Sequence, residues 1–268
     1  MAQPGSALAW GARGRRFESY YTDQFSSLRE TKLRFWLLVR ALISAFCVLF
    51  VSKPGLAQND MAKRMQACTT CHGAQGVTSN QAYFPRIAGK PAGYLFNQLQ
   101  NFKEGRRHYG LMVGMVEHLS DAYLLEMAQY FASLDLSYAM PTPLKTPASV
   151  ATLQFGKTLA LQGDTSRNLA SCASCHGAAL MGVLPNTPAL LGLPRDYLAA
   201  QLGAWQTGLR RAHAPDCMGR IAKVLTPNDI DAVSSWLASQ PVPAFSKAAA
   251  SLPTTTYAPT LEQCGGAK

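Results

Sequence analysis

The sequence predicts an all-α protein built from two similar units in tandem, and two observations support this. Inside each unit, apolar residues recur with helical spacing, and no stretch alternates well enough to predict a strand. Eight positions also recur at a constant offset of 103 residues. They are Pro85, Gly89, Pro91, Tyr94, Leu95, Gln98, Leu99 and Gly105, matched by Pro188, Gly192, Pro194, Tyr197, Leu198, Gln201, Leu202 and Gly208.

A first helix is predicted in each unit, starting near Pro91 or Pro194 and stopped by Gly105 or Gly208. Its apolar face has the same spacing in both copies. The residues are Tyr94, Leu95, Leu99 and Phe102, and then Tyr197, Leu198, Leu202 and Trp205.

A second helix closes each unit. Ser120 and Thr226 are predicted N-caps, and Thr226 is followed by Pro227 and Asp229 in a pattern typical of a capping box. The predicted buried stripes are Leu124, Leu125, Ala128, Phe131 and Leu134 in one copy, and Ile230, Val233, Trp236 and Leu237 in the other.

Composition shifts divide the chain further. Prolines between Met140 and Pro147 predict a stiff linker, and the last stretch is rich in Pro and Thr. The predicted segments are a leader (1–57), domain 1 (58–138), the linker (139–149), domain 2 (150–240) and a C-terminal tail (241–268).

The leader has the pattern of a secretory signal: basic residues up to Arg40, an apolar run over 41–51 and small residues ending at Ala57. We expect export and cleavage after Ala57. An uncleaved membrane anchor is the alternative, although the apolar run is short for a span. The first 27 residues or so are long for such a leader, so we expect translation to begin nearer Leu28 or Leu33.

The strongest motif occurs twice, as Cys68-Thr69-Thr70-Cys71-His72 and as Cys172-Ala173-Ser174-Cys175-His176. This is the attachment signature of c-type haem: both thiols add to the porphyrin vinyl groups, and the histidine binds the iron. A disulfide redox pair or half a zinc site would explain a lone CxxC but not two copies followed by His. The sequence therefore predicts two covalently bound haem c groups.

The formal charge of +10 does not indicate nucleic-acid binding. Residues 1–57 hold half of it, leaving +5 on residues 58–268. Four propionates from two haems would bring that remainder close to neutral.

The opposite axial ligand decides the chemistry, because a methionine thioether closes the iron and favours electron transfer. Met112 lies seven residues before Leu119, and Met218 lies seven before Leu225, so the repeat selects this pair. Met115, one turn further on, is the alternative in the first unit. The predicted iron ligands are His72, Met112, His176 and Met218.

Cys217 is a rival ligand in the second unit, because it precedes Met218 and a thiolate would lower the haem potential. We favour instead a disulfide with Cys264, the other cysteine outside the motifs and leader, and two free thiols are the alternative to that disulfide. That cross-link would hold the end of the chain against the region around Cys217.

The other polar candidates are less specific. His108, His118 and His213 are expected on solvated surfaces near helix ends. Arg107 and Arg210 recur after the repeated glycines, and are either surface charges or propionate-binding groups.

Residues 59–240 resemble the cytochrome c4 family, the two-domain di-haem class I cytochromes c. The motifs that match are Cys68-Thr69-Thr70-Cys71-His72-Gly73, Phe84-Pro85-Arg86-Ile87-Ala88-Gly89, Tyr94-Leu95, Gln98-Leu99, Phe102-Lys103-Glu104-Gly105-Arg106-Arg107, and Met112-Val113-Gly114-Met115 leading to Leu119-Ser120-Asp121.

This resemblance implies two haem domains related by a pseudo-twofold, with propionate edges facing one another. It also implies that the carbonyls of Pro85 and Pro188 accept the second N–H of each proximal histidine. The implied role is to carry electrons in the periplasm between a quinol-oxidising complex or a dehydrogenase and a terminal oxidase. The second unit lacks the Phe-Pro opening, and the cysteine-bearing tail lies outside the family pattern.

The sequence is compatible with three functions. A non-enzymatic electron carrier with two His/Met haems is favoured. A di-haem enzyme, either thiosulfate dehydrogenase-like with a Cys217-ligated haem or a peroxidase with an open iron, is the main rival. A haem subunit of a membrane dehydrogenase or oxidase complex is the third.

Overall fold

The computed structural model describes residue 36 and residues 39–40, 60–78, 84–138, 147–243, 247–251 and 263–267. Residues 57–268 form one compact unit, and residues 1–56 form another. The leader falls almost entirely outside the described residues, and so do residues 139–146 of the linker. Within those residues, no helix is both long and apolar enough to cross a bilayer.

The first half of the compact unit is helical. Residues 60–64 are helical and precede α1. The helices that follow are α1 (Gln66–His72), α2 (Ala92–Lys103), α3 (Gly110–Val116) and α4 (Asp121–Ser133).

The second half repeats this order. Its helices are α5 (Val150–Leu161), α6 (Cys172–His176), α7 (Arg195–Gln206), α8 (Cys217–Val224) and α9 (Pro227–Ser239). Across the described residues, strand-like pairing is limited to isolated bridges, which agrees with the predicted all-α class.

The predicted helix ends are confirmed. Pro91 and Pro194 are the N-cap residues of α2 and α7. After these helices the chain turns at Gly105 (φ 71°) and Gly208 (φ 77°), a left-handed conformation that glycine adopts without steric cost.

The predicted caps of the closing helices are also confirmed. The Ser120 hydroxyl accepts from the Tyr123 amide. Thr226 and Asp229 form a reciprocal capping box at the start of α9.

The buried stripes agree with the prediction except at Leu125, where it was wrong. Leu124 is fully buried, but Leu125 is 40% exposed. The buried face of α4 is Leu124, Met127, Ala128 and Phe131. One residue along a helix is a rotation of 100°, which moves Leu125 off that face.

Helix α5 was not predicted, although it packs closely on α9 in the second half. A Cβ built on Gly156 would lie 2.1 Å from the Ala232 carbonyl oxygen, so the backbones meet where only glycine fits. The helix has an N-cap residue, Ser149, whose hydroxyl accepts from the Thr152 amide. Its apolar residues include exposed Val150, Phe155 and Leu161, which weakens the periodic signal.

The two halves meet through a symmetric backbone contact. The His108 amide donates to the Leu209 carbonyl at 2.8 Å, and the Arg211 amide donates to the Arg106 carbonyl at 2.7 Å. These bonds interchange under the 103-residue offset, as a local pseudo-twofold requires.

The described parts of the tail dock on both halves. Ala249 exchanges backbone hydrogen bonds with Gly182 and Leu184, and Lys247 pairs with Asp135 of the first half. Cys264 forms a disulfide with Cys217, which confirms that predicted pairing.

Asp229 is the main polar anchor of the second core. Its carboxylate is buried, accepts from Thr226 and receives Arg167 Nη1 at 2.6 Å. Burial alone would raise the pKa of Asp229, but the hydrogen bonds from Arg167 and Thr226 outweigh it and lower the pKa below its ordinary value.

We expect Asp229→Ala to lower the free energy of unfolding by about 2–3 kcal/mol, because it removes a cap and leaves Arg167 without this partner. Denaturant unfolding followed by circular dichroism measures this, with the exposed Asp196→Ala as the control. Since the folded pKa is depressed, the contribution is present above about pH 4 and lost as the pH falls through the folded value. An equal loss for both variants would contradict this role.

Candidate haem sites

Each CxxCH motif lies on a short helix that ends at its histidine. His72 is the last residue of α1 and His176 the last of α6. The glycines that follow have φ near 80°, which turns the chain sharply beneath the histidine. Both imidazoles are buried.

The second nitrogen of each imidazole is fixed by a proline carbonyl. His72 Nδ1 lies 2.8 Å from the Pro85 oxygen, and His176 Nδ1 lies 2.8 Å from the Pro188 oxygen. A carbonyl only accepts, so Nδ1 carries the proton and Nε2 keeps its lone pair as the ligand atom. The arrangement is that of an oriented metal-binding histidine.

Burial lowers the pKa of both histidines. For His72 the charge of Arg107 lowers it further, and for His176 the charge of Lys90 does so, while the hydrogen bonds to the proline carbonyls act in the opposite direction. The neutral imidazole, which is the form that binds iron, is therefore favoured.

The four motif cysteines are free thiols. Burial raises the pKa of Cys68 and Cys175, and raises that of Cys172 to about 12. Redox-active CxxC pairs have the opposite shift. Paired but unlinked thiols beside a histidine fit thioether attachment of a porphyrin.

Met112 and Cys68 both pack against the apolar cluster of the first half. Met112 lies near the start of α3 and is half-buried, whereas Met115 is 46% exposed. This favours Met112 over Met115 as the ligand.

In the second half Met218 lies at the start of α8 and is half-buried. Its neighbour Cys217 is held in the disulfide with Cys264. The thiolate ligand considered from the sequence is therefore not present at this position.

Arg107 and Arg210 are not surface charges; they cross-brace the two halves. Arg107 donates to Gln98 at 2.9 Å and to Gln201 at 2.7 Å. Arg210 donates to Gln201 at 2.7 Å and to Gln98 at 3.1 Å. Each arginine also reaches a tyrosine of the other half, Tyr197 from Arg107 and Tyr94 from Arg210. The repeated residues thus form one symmetric network.

This interface has an excess of buried positive charge. Arg210 and Lys90 are 5% and 6% exposed, and burial lowers the pKa of both. Burial alone would raise the pKa of Tyr94, but Arg210, Arg107 and Lys90 bring it down to about 8. Among the described residues no carboxylate is found among the groups that act on these three side chains.

Such a cluster calls for anions, and haem propionates fit it. A further observation agrees: Trp205 Nε1 is buried without a hydrogen-bond partner in the described residues, and Arg210 lies 3.8 Å above its ring. Arg107, Arg210, Lys90 and Trp205 would hold propionates. Bound there, the haem irons would supply one-electron chemistry, and the chain's part is to attach, orient and desolvate them.

Sequence reasoning missed part of this site and misplaced one residue. Lys90 had no repeat signal, because its counterpart is Leu193. The expectation that His213 lies on a solvated surface was wrong: it is half-buried and its Nε2 lies 2.8 Å from Arg106 Nη2. His108 and His118 are exposed, as expected.

Comparison with known proteins agrees with this geometry. The family model for cytochrome c matches residues 156–241. Cytochrome c4 of Pseudomonas aeruginosa is 32% identical over 75% of this chain and 96% of its own length. The chain belongs to the cytochrome c4 family.

As a cytochrome c4 family member, the protein has two class I cytochrome c domains and two covalently bound haem c groups. The crystal structure of reduced cytochrome c4 from Pseudomonas stutzeri is 30% identical, with a TM-score of 0.58, and covers 68% of this chain and 97% of its own. The protein is a di-haem electron-transfer cytochrome.

Other relatives have a more specific name. The "thiosulfate dehydrogenase electron acceptor" of Thiomonas intermedia is 39% identical, over 66% of this chain and 79% of that protein. A solved thiosulfate dehydrogenase from Marichromatium purpuratum has a TM-score of 0.57 and 30% identity. The match covers 65% of the present chain and 36% of that longer chain.

We expect Met112→Ala and Met218→Ala each to abolish half of the weak near-infrared absorption that marks Met–Fe(III) ligation. Each substitution would remove one thioether and leave the other iron closed. Met115→Ala is the control in the first half and should keep the whole band. Loss of the first-haem signal in Met115→Ala would instead assign that residue as the ligand.

We expect Arg210→Gln to lower the reduction potential of the adjacent haem by on the order of tens of millivolts, because removing a buried cation favours the oxidised iron. Arg211→Gln removes an exposed, solvent-screened charge nearby and serves as the control. Spectroelectrochemical titration measures both. Equal potentials in both variants would show that Arg210 does not act on the haem.

Proposed function

We propose that this protein is an exported, periplasmic electron carrier whose two irons are ligated by His72 and Met112 and by His176 and Met218. Cys68, Cys71, Cys172 and Cys175 form the thioethers. Pro85 and Pro188 orient the histidines, and Arg107 and Arg210 balance the propionates. Electrons pass from a dehydrogenase or a quinol-oxidising complex to a terminal oxidase.

A closed iron at both sites supports a carrier over an enzyme. A thioether on the distal side leaves no coordination position for a substrate, so peroxidase chemistry is disfavoured. The disulfide at Cys217 removes the thiolate on which a thiosulfate dehydrogenase-like mechanism would depend.

A thiosulfate-oxidising dehydrogenase is the favoured electron donor. The observation behind this choice is the identity of 39% and 40% with two proteins named thiosulfate dehydrogenase electron acceptor, from Thiomonas intermedia and Stutzerimonas stutzeri. The 30% identity to part of a solved thiosulfate dehydrogenase chain favours the enzyme as a second candidate.

One experiment separates the two. The mature di-haem protein is mixed with thiosulfate alone, and then with thiosulfate plus a catalytic amount of a thiosulfate dehydrogenase, while the haem absorption is recorded. A carrier is expected to stay oxidised in the first mixture and to become fully reduced, at both haems, in the second.

The control is the same dehydrogenase with an unrelated mono-haem class I cytochrome c. Sustained turnover of thiosulfate with an artificial acceptor by the protein alone would overturn the carrier assignment. If the dehydrogenase reduces this protein no faster than it reduces the unrelated cytochrome, the thiosulfate dehydrogenase is rejected as the donor. The remaining donors are then other dehydrogenases and quinol-oxidising complexes.

A further inference from the structure

The last described segment of the chain, residues 263–267, lies against the loop that leads into Met218; we call it the C-terminal strap. Cys264 joins it covalently to Cys217, with the two Cα atoms 5.6 Å apart. Cys217 is the first residue of α8 and directly precedes Met218. The cross-link therefore acts one residue from the proposed ligand.

The strap is also seated through its backbone. The Gly265 amide donates to the Pro215 carbonyl at 3.0 Å. A Cβ on Gly265 would lie 2.4 Å from the carbonyl oxygens of His213 and Ala214, so the strap touches this loop more closely than any side chain allows. Both Cys264 and Gly265 are buried.

A further contact ties the strap to the other half. Asn97 Nδ2, on α2, donates to the Gly266 carbonyl at 2.7 Å. The loop itself is braced from within, because the Asp216 carboxylate accepts from the Ala212 and Gly219 amides, both at 2.8 Å. The backbone around Met218 is thus held from three sides.

Within the described residues, the matching segment of the first half has none of these restraints. Leu111, which precedes Met112, is 65% exposed. Helix α3 starts without a side-chain cap, and Cβ atoms built on Gly110 and Gly114 would meet no atom within 4 Å. Local opening costs least where buried contacts and cross-links are fewest.

We propose that the C-terminal strap locks Met218 on the second haem iron, whereas Met112 is left able to exchange with small external ligands at the first. Cys264, Gly265 and Asn97 are positioning residues, since they act through the backbone of the 213–218 loop. This inference rests on the proposed function, in which Met112 and Met218 are the distal ligands.

The physical reason is entropic. A thioether leaves ferric iron when the loop that bears it opens, and a cross-link reduces the number of open conformations. An external imidazole must wait for that opening, so its binding rate reports how often each loop opens.

The test uses imidazole binding to the oxidised holoprotein, followed by stopped-flow absorbance. Met112→Ala and Met218→Ala, which open one iron each, identify the spectrum of each haem. In the unmodified protein we expect two phases, the first haem binding at least about tenfold faster than the second.

Three variants then probe the strap. The double variant Cys217→Ser/Cys264→Ser leaves no thiol beside the iron, and should accelerate the second-haem phase about tenfold or more. Asn97→Ala keeps the disulfide and should accelerate that phase by about threefold, the effect of one net hydrogen bond. The exposed Asp196→Ala is the control and should change neither phase.

The first-haem phase is the internal reference, because general destabilisation would accelerate both phases. Equal rates for the two haems in the unmodified protein, or an unchanged second phase in both the double variant and Asn97→Ala, would overturn the proposal. If the double variant does not fold, the Asn97→Ala result decides alone.

Failure of the underlying function has a different signature. If Met218→Ala keeps the near-infrared absorption of both haems, then Met218 is not a ligand, and the ligand assignment falls together with the strap. If Met218→Ala loses half of that absorption while the strap variants change nothing, only the strap proposal falls.

Discussion

Two arginines at the interface between the halves, Arg107 and Arg210, are the constraint on which the rest of the structure depends. Each donates to both Gln98 and Gln201, so neither arginine belongs to one half alone. Like charges brought together away from water repel, and glutamine oxygens supply only partial negative charge. The interface therefore needs anions to balance its charge, and the propionates of two haems would supply them. Haem binding and packing of the two halves against each other would therefore be coupled.

A symmetric frame of this kind can still make its two sites unequal. Lys90 lies near the second site, while its counterpart in the second half is the apolar Leu193. Trp205 has an N–H where the first half has Phe102, and both rings lie beneath an arginine. The Met218 loop is cross-linked and the Met112 helix is not. Each difference alters the charge or the freedom around one iron without disturbing the duplicated helices.

These features fit a protein that passes electrons between partners. The proline carbonyls hold the histidines in one orientation, which keeps the reorganisation of the iron site small as its charge changes. Buried cations favour the reduced iron, and the proposed methionine ligands would close the distal positions to substrate. Differences between the two sites would then give electrons a preferred order of occupation.

The sequence alone determined whatever depends on local spacing: the two CxxCH motifs, the helix starts at Pro91 and Pro194, and the capping box of Thr226 and Asp229. Spacing of this kind is read within a few residues of chain. The repeat also singled out Arg107 and Arg210 as candidate propionate-binding groups, but it did not show that both bind Gln98 and Gln201. Leu125 was wrongly predicted to be buried, because the apolar spacing alone does not show where the buried face of a helix ends.

Only the tertiary structure decided what depends on distant segments meeting. The charge of Lys90, in the first half, acts on His176 of the second. His213 lies beside Arg106 of the first half, and the strap contacts Asn97, 169 residues away. No local pattern encodes such contacts, because their partners are chosen by how the two halves pack. The sequence thus specified the attachment of each haem, and the packing of the halves decided how the two sites differ.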